Sequence, residues 1–548
     1  MASADPRKAS LVALFRLRVT RALHRLARRW PSAILLAGIL GTAFYVIAYP
    51  FTLATHPPIT DLPFHAAGSS ILRHYLDPAF HFREQYELHF LEVPYATMYF
   101  LGAFFAVFVP IVWATKLTAI VMLSLLPGGL AVMFLGMKKS PLWGVLGLGP
   151  VWCSLTHWGF LNFMGAIGLF TMASGATLLL LDRPTRGRQA FLIVTLVAIF
   201  YTHVYRFPFA VAAILGTAVL MYPATRRWKP VLLPLTAAMA LYGFWSLIKR
   251  AGLSGGVGPI SVHKERMAEI PEHLFTGYVG PEESAAATQM LWVTAGLFLL
   301  TTLLFFLQGR HRRRSSRELF WGAGVTALPL IMGAVFLLAY LVLPMSIGLW
   351  WFVYPREITT AGYVALAAMP DLPRKWWLRL PLLASFAYVS GRLGFITAAH
   401  WHDFEQSNED FRAIAAQVPK APKLLYLIFD HGGSARRTSP YIHMPAWIQA
   451  ETGGWLSFHA AGWGDLHPIR YRPPGPSIPP PVPERWEWTP ERFDLQRNGS
   501  FFDTFLVRHY RPADYLFAED PSIHPAGHVG HWWLYRRDPP GLNASTAP

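Results

Sequence analysis

The chain has 548 residues, 53% of them hydrophobic and only 14% charged, against roughly 25% charged in soluble domains, which excludes an ordinary soluble globular protein. A net charge of +17 would point to nucleic acid in a soluble chain. Here the Lys and Arg sit in short clusters between apolar runs, the pattern of topology signals and anionic headgroup contacts, so nucleic acid drops out as a partner. The single cysteine, Cys153, excludes an intramolecular disulfide framework and a cysteine-based zinc site.

Residues Met1–Trp30 form a basic, partly amphipathic leader. The apolar run Ser32–Tyr49 follows without a small-residue cleavage site and reads as a first transmembrane helix. The Lys/Arg bias places the leader in the cytoplasm and the next loop, residues 51–95, outside. Apolar runs then recur at about the 18-residue length that crosses a hydrocarbon core. They lie at Ala114–Met137, Pro141–His157, Phe160–Leu181, Gln189–Val204, Phe207–Tyr222, Lys229–Ile248, Thr288–Leu307, Glu318–Leu343, Glu357–Met369 and Trp376–Thr397. If each crosses once, the clusters Lys138-Lys139, Arg183–Arg188, Arg226–Lys229, Arg310–Arg317 and Arg374-Lys375 all fall on the cytoplasmic side. Pro94–Pro110 breaks that alternation and reads as a juxtamembrane or re-entrant helix. The expectation is an α-helical polytopic membrane protein of about 11–13 spans.

After about His400 the composition changes. Residues 403–548 are proline-rich, hold no spanning run, and show strand-like pieces at Lys423–Phe429, Phe502–Val507, Asp514–Phe517 and His531–Arg536, with a helix over Pro440–Thr452. They predict a small external α/β C-terminal domain beside a membrane domain over residues 31–402. Arg472–Pro483 is a proline-rich loop within it.

Asp61, in Thr60-Asp-Leu-Pro-Phe-His65, lies just after the first span, with Pro57, Pro58 and Pro63 stiffening its approach. A carboxylate at the mouth of a helical bundle suits a general base acting at the bilayer surface. His65 follows at i+4 and shares a face with it if a helix starts at Leu62. Asp61 can equally be that helix's N-cap, with Pro63 in the first turn. His74, His81 and His89 share the loop with Glu84, Glu87 and Glu92, a donor set open to a divalent cation, although the spacing matches no defined metal motif. Arg356, in Trp351-Phe-Val-Tyr-Pro-Arg356, fits the grip of a guanidinium fork on a lipid phosphate, or an interfacial anchor. His203 and Arg206 in Tyr201-Thr-His-Val-Tyr-Arg206 carry the same double reading. No phosphate-binding glycine loop, Gly-x-Ser-x-Gly elbow or His-Glu-x-x-His motif is present.

This order of parts resembles the GT-C superfamily, the integral-membrane glycosyltransferases that use polyprenyl-phosphate-linked sugars. The likeness rests on one span, a long first external loop with an acid soon after the membrane, many further spans and an external C-terminal domain. Thr60-Asp61-Leu62 stands where such proteins carry one or two acids, and Glu92-Val-Pro-Tyr-Ala-Thr-Met-Tyr99 is similar to their Pro-Tyr entry into a juxtamembrane segment. The second acid is missing, and His65, Glu84 or Glu87 would stand in for it. The resemblance implies inverting transfer of a hexosyl or pentosyl unit from a polyprenyl-phosphate carrier in the bilayer to an acceptor on the outer face. Asp61 would act as base, and Arg356, with Arg206, would hold the departing phosphate. A non-catalytic transporter, a lipid-binding scaffold or a degenerate member of the superfamily remains the alternative. The transporter would be marked by ionisable residues buried inside spans, of which Lys116 and Arg392 are the main examples.

Overall fold

The computed structural model describes residues 32–248, 260–275, 280–307, 315–347, 351–433, 438–462, 467–483 and 485–539. The basic leader, the Arg310–Arg314 part of one cluster and Trp350 lie outside the described residues. Among those described, six helices are long and apolar enough to cross a membrane: Ile111–Gly136, Leu161–Asp182, Lys229–Ile248, Pro281–Leu307, Ser316–Val342 and Trp376–Ala415. Ser32–Ala48 and Arg206–Leu220 are shorter apolar helices, and Arg186–Thr202 and Val353–Ala365 complete the bundle. The chain is a multi-pass membrane protein. Thr97–Phe105, inside the doubtful Pro94–Pro110 run, is a helix of 9 residues, far short of a crossing.

The expected span over Pro141–His157 is not one helix. It is a 3-10 turn at Pro141–Leu148 and a short helix at Ser154–Trp158. Pro141 and Pro150 withhold amide donors, and Gly144, Gly147 and Gly149 lower helical propensity. The segment instead lies against Ile111–Gly136, where a Cβ on Gly147 would sit 2.6 Å from the Pro127 nitrogen. Irregular backbone at membrane depth is tolerated where protein buries it, and Trp143 through Leu148 are all buried.

Among the described residues, Lys138, Lys139 and Arg227 of the basic clusters meet at one end of the bundle. Lys138 pairs with Asp182 at 2.7 Å, and Arg227 donates to the Asp182 carbonyl at 2.6 Å. Lys139 donates to the Met369 carbonyl at 2.7 Å. At the other end, Lys116 donates to the Ala54 carbonyl at 2.7 Å, which fixes the turn after the first helix.

The helix Trp376–Ala415 runs 40 residues without a break, so the composition change near His400 falls inside one element. It leads into a five-stranded sheet of order β3-β2-β5-β7-β6. The strands are β2 (Lys423–Ile428), β3 (Trp455–Leu456), β5 (Thr504–Arg508), β6 (Ile523–Val529) and β7 (Trp532–Arg537). β2 is parallel to β3 and β5, while β7 is antiparallel to β5 and β6. Alternation along β2 sends Leu424, Tyr426 and Ile428 into a core continuous with the bundle, and Leu425 and Leu427 into a second core with Trp486 and Phe505. The expected strand at Asp514–Phe517 is a 3-10 turn, Asp514–Leu516. Strand β6 escapes a sequence reading because it contains Pro525 and a bulge before Gly527, features of an edge strand. A further ribbon joins β1 (Tyr86–Leu88), in the first loop, to β4 (Ile469–Tyr471). The first loop and the C-terminal region therefore form one continuous cap over the bundle.

Candidate active site

Asp61 lies under that cap. The Thr60 amide donates to the His157 carbonyl at 3.0 Å and the Asp61 amide to the Trp158 carbonyl at 3.2 Å. Gly159 makes the approach possible: its φ is +99°, and a Cβ there would stand 2.7 Å from the Asp61 Cβ. Asp61 occupies the N-cap position of the helix Leu62–Arg73, yet its side chain makes no capping bond. Of the two sequence readings, the cap holds for the backbone alone.

The Asp61 side chain is 24% exposed, enough for a substrate to reach, and its Oδ1 stands 3.6 Å from His443 Nε2. Burial pushes its carboxyl up to about 7; the Arg356 charge opposes this and the Glu487 charge adds to it. His443 is held neutral by burial, its pKa pushed down to about 3, so it solvates the carboxyl without neutralising it. His65 donates its amide to the Asp61 carbonyl at 3.2 Å. Burial lowers the pKa of its ring to about 4, so at neutral pH it carries no charge.

Arg356 is delivered by a tight turn. Phe352 takes a left-handed conformation (φ 61°) ahead of the helix Val353–Ala365, and the Arg356 guanidinium folds back to donate to the Trp351 carbonyl at 2.9 Å. It stacks on Phe160, 4.0 Å from the ring centroid, and hydrogen-bonds Tyr95. Arg206 sits differently. It is buried and makes two bonds of 2.8 Å to Glu357, with a third to Thr360 at 3.2 Å. Its charge is thus taken by a carboxylate, where the sequence assigned it a phosphate; it anchors the helix that carries Arg356. His203 is buried against Tyr95 and Phe163, with ring centroids 5.3 and 5.6 Å away, and burial followed by the charges of Arg356 and Arg206 lowers its pKa well below the usual range.

Glu84 and Glu87 are engaged elsewhere: Glu84 with His81 at 2.6 Å, Glu87 with Arg472 at 3.3 Å and His89 at 3.4 Å. His74 pairs with Asp77. His89 also meets Glu92 at 3.2 Å, and Glu92 meets Arg470 at 3.4 Å, so Glu87, His89 and Glu92 form one network with the two arginines, while His81–Glu84 and His74–Asp77 stand as pairs. Among the described residues no three His, Cys, Asp or Glu side chains are grouped to hold a metal ion.

The sequence reading gives the C-terminal region a part in acceptor binding or in covering the site but names no residue from it. Besides His443 and Glu487, that region places Trp488 over Trp158, with centroids 6.1 Å apart. Phe64, next to the site, stacks on His443 at 4.0 Å, and Tyr99 bonds His467 at 2.7 Å. One local signal existed: the run Arg485-Trp-Glu-Trp488 places an acid between two tryptophans in an otherwise proline-rich stretch.

No family model and no curated protein sequence matches the chain. Solved structures do. The crystal structure of ArnT from Cupriavidus metallidurans bound to undecaprenyl phosphate aligns over 92% of this chain and 98% of that one, with a TM-score of 0.51 at 12% identity. ArnT from the same organism in the apo state aligns over 93% and 98%, with a TM-score of 0.45 at 14% identity. The cryo-EM structure of the arabinofuranosyltransferase AftD from mycobacteria covers 93% of this chain and 40% of that one, with a TM-score of 0.42 at 13% identity. The full-length match to undecaprenyl-phosphate-bound ArnT shows the fold, and it is the GT-C fold that the sequence resemblance led us to expect.

Proposed function

We propose that this chain is a membrane glycosyltransferase. It moves a sugar from a polyprenyl-phosphate carrier to an acceptor at the end of the bundle opposite the basic clusters, read as the external face with the N-terminus in the cytoplasm. The observation that carries this reading is the site itself: a partly exposed carboxylate, Asp61, with only His443 close by among the described residues, at 3.6 Å, and the charge of Arg356 acting on it. The fold shared with ArnT, solved with undecaprenyl phosphate bound, supports the choice of carrier.

In this mechanism Asp61, as carboxylate, takes the proton of the acceptor hydroxyl. The acceptor oxygen forms a bond to the anomeric carbon from the face opposite the phosphate. The bond between that carbon and the phosphate oxygen breaks, and its electron pair leaves with the polyprenyl phosphate. The configuration inverts in this single displacement. A base whose pKa lies near the working pH is best placed for such a transfer. Arg356, oriented by Tyr95 and the Trp351 carbonyl, stabilises the charge that grows on the departing phosphate. His65 and His203, both uncharged, position the turn and the arginine. Arg206 acts through Glu357 by fixing the helix. Glu84 and Glu87, paired in the first loop, shape the cap.

The test is binding and turnover in nanodiscs. Wild type should bind undecaprenyl phosphate and consume a polyprenyl-phosphate sugar when given a pooled acceptor extract. Arg356→Gln should weaken binding and turnover together. If wild type binds no polyprenyl phosphate, the reading fails.

A further inference from the structure

The backbone carbonyls of two tryptophans hold the two groups assigned to chemistry. Trp158 accepts the amide of Asp61 at 3.2 Å, and Trp351 accepts the guanidinium of Arg356 at 2.9 Å. Their rings then meet, with centroids 6.2 Å apart at an interplanar angle of 72°. Trp488 joins from the C-terminal region, 6.1 Å from Trp158, and His431 stands 5.4 Å behind it. Trp351 and Trp488 remain 51% and 40% exposed, although the three rings come from three separate stretches of chain. Tryptophans kept only for packing would be covered, and a lipid belt would point its rings outward singly. These rings converge beside the reacting groups, and Trp351 and Trp488 leave part of their faces exposed. Glu487, between the buried Trp486 and the exposed Trp488, makes no ion pair among the described residues.

We propose that Trp158, Trp351 and Trp488, with Glu487 at their edge, form a subsite for a sugar ring of the acceptor, so that the acceptor is a carbohydrate. An indole face offers negative quadrupole density to the slightly positive C–H face of a pyranose. A neighbouring carboxylate accepts hydrogen bonds from ring hydroxyls, as such recognition requires. The donor's sugar arrives from the bilayer on its carrier, whereas Trp488 and Glu487 belong to the C-terminal region that caps the bundle, which favours the acceptor's ring. The electrostatic reach of Glu487 to Asp61 supports placing that ring's hydroxyl at the base. This assignment rests on the glycosyltransferase reading of the same site.

The experiment is saturation-transfer NMR on the full chain in nanodiscs, with short neutral gluco- and manno-oligosaccharides as probe and undecaprenyl phosphate binding measured on the same discs. Wild type should transfer saturation to ring C–H protons. Trp488→Ala should weaken saccharide binding about fivefold to tenfold, and Trp488→Phe should restore most of it. The exposure of Trp488 leaves no core cavity in either variant. Equal signals from wild type and Trp488→Ala, or none from wild type, would overturn the subsite and reduce the rings to an interfacial anchor. Loss in Trp488→Ala of affinity for a polyprenyl-phosphate sugar, with free saccharides unaffected, would reassign the ring to the donor and overturn the acceptor claim. Saccharide binding without any undecaprenyl phosphate binding would sink the parent reading while leaving the subsite standing.

Discussion

Two arginine–acid neighbourhoods lie within one helix turn of each other and are built in opposite ways. In the first, Arg206 and Glu357 are 2% and 7% exposed in their side chains and close on each other at 2.8 Å, with Thr360 taking a further donor. In the second, Arg356 sends its guanidinium to a backbone carbonyl and to Tyr95, and Asp61 is left with a neutral histidine at 3.6 Å. Neighbouring positions on one helix thus serve different ends. Satisfied charges fix geometry, and a carboxylate left without a tight partner keeps a proton affinity that chemistry can use.

If that contrast is right, the two pairs should fail differently. Glu357→Ala strands a buried guanidinium and should cost about 3–5 kcal/mol of stability, seen as lost expression or a collapsed melting temperature. Replacing both partners, Arg206→Met with Glu357→Leu, should recover most of that loss. Arg356→Gln should leave the melting temperature nearly unchanged while lowering turnover about 10²–10³-fold, the scale of removing one preorganised charge stabiliser. Gly159→Ala sharpens the contrast from the backbone side. It strains a left-handed position by about 1–3 kcal/mol and pushes against the Asp61 Cβ, so turnover should fall further than stability does. The smallest effect is expected from Glu487→Gln. Its charge raises the Asp61 pKa, so removing it should move the acid limb of the pH–rate profile to lower pH, by less than about one unit.

Part of this contrast was legible in the sequence and part was not. Asp61 stood out because a charge directly after an apolar run, framed by prolines, is rare and local. Arg356 stood out as a cation among aromatics at a helix end. The long spans were legible for the same reason, since about 18 apolar residues in a row admit few other structures. Pro141–His157 misled because its hydropathy matches a span while its prolines and glycines favour an irregular path packed on Pro127. The pairing of Arg206 with Glu357, the placing of Glu84 and Glu87 in ion pairs, and the arrival of His443 and Glu487 all depend on contacts between distant stretches, which carry no periodic signal. The β1–β4 ribbon, with 3 residues in each strand, is too short for alternation to mark it.

If Asp61 is the base, its raised proton affinity offers a direct test. Its carboxyl is raised from 3.8 to about 7 by burial, so the folded protein holds this proton more tightly than the unfolded chain does. The stability tied to that proton is fully present below about pH 4 and is lost as pH rises to about 7, a loss of about 4 kcal/mol at most. Catalysis runs the other way, because the base works as carboxylate and turnover should climb through pH 7 to a plateau. The decisive measurement pairs turnover of a polyprenyl-phosphate sugar with thermal melting for wild type and Asp61→Asn, across pH 5 to about 8. Asp61→Asn should lose turnover about 10²–10⁴-fold yet melt higher than wild type at the alkaline end, where it no longer has to bury a charge. A variant that turns over like wild type, or one that loses turnover and stability together at alkaline pH, would contradict Asp61 as the base.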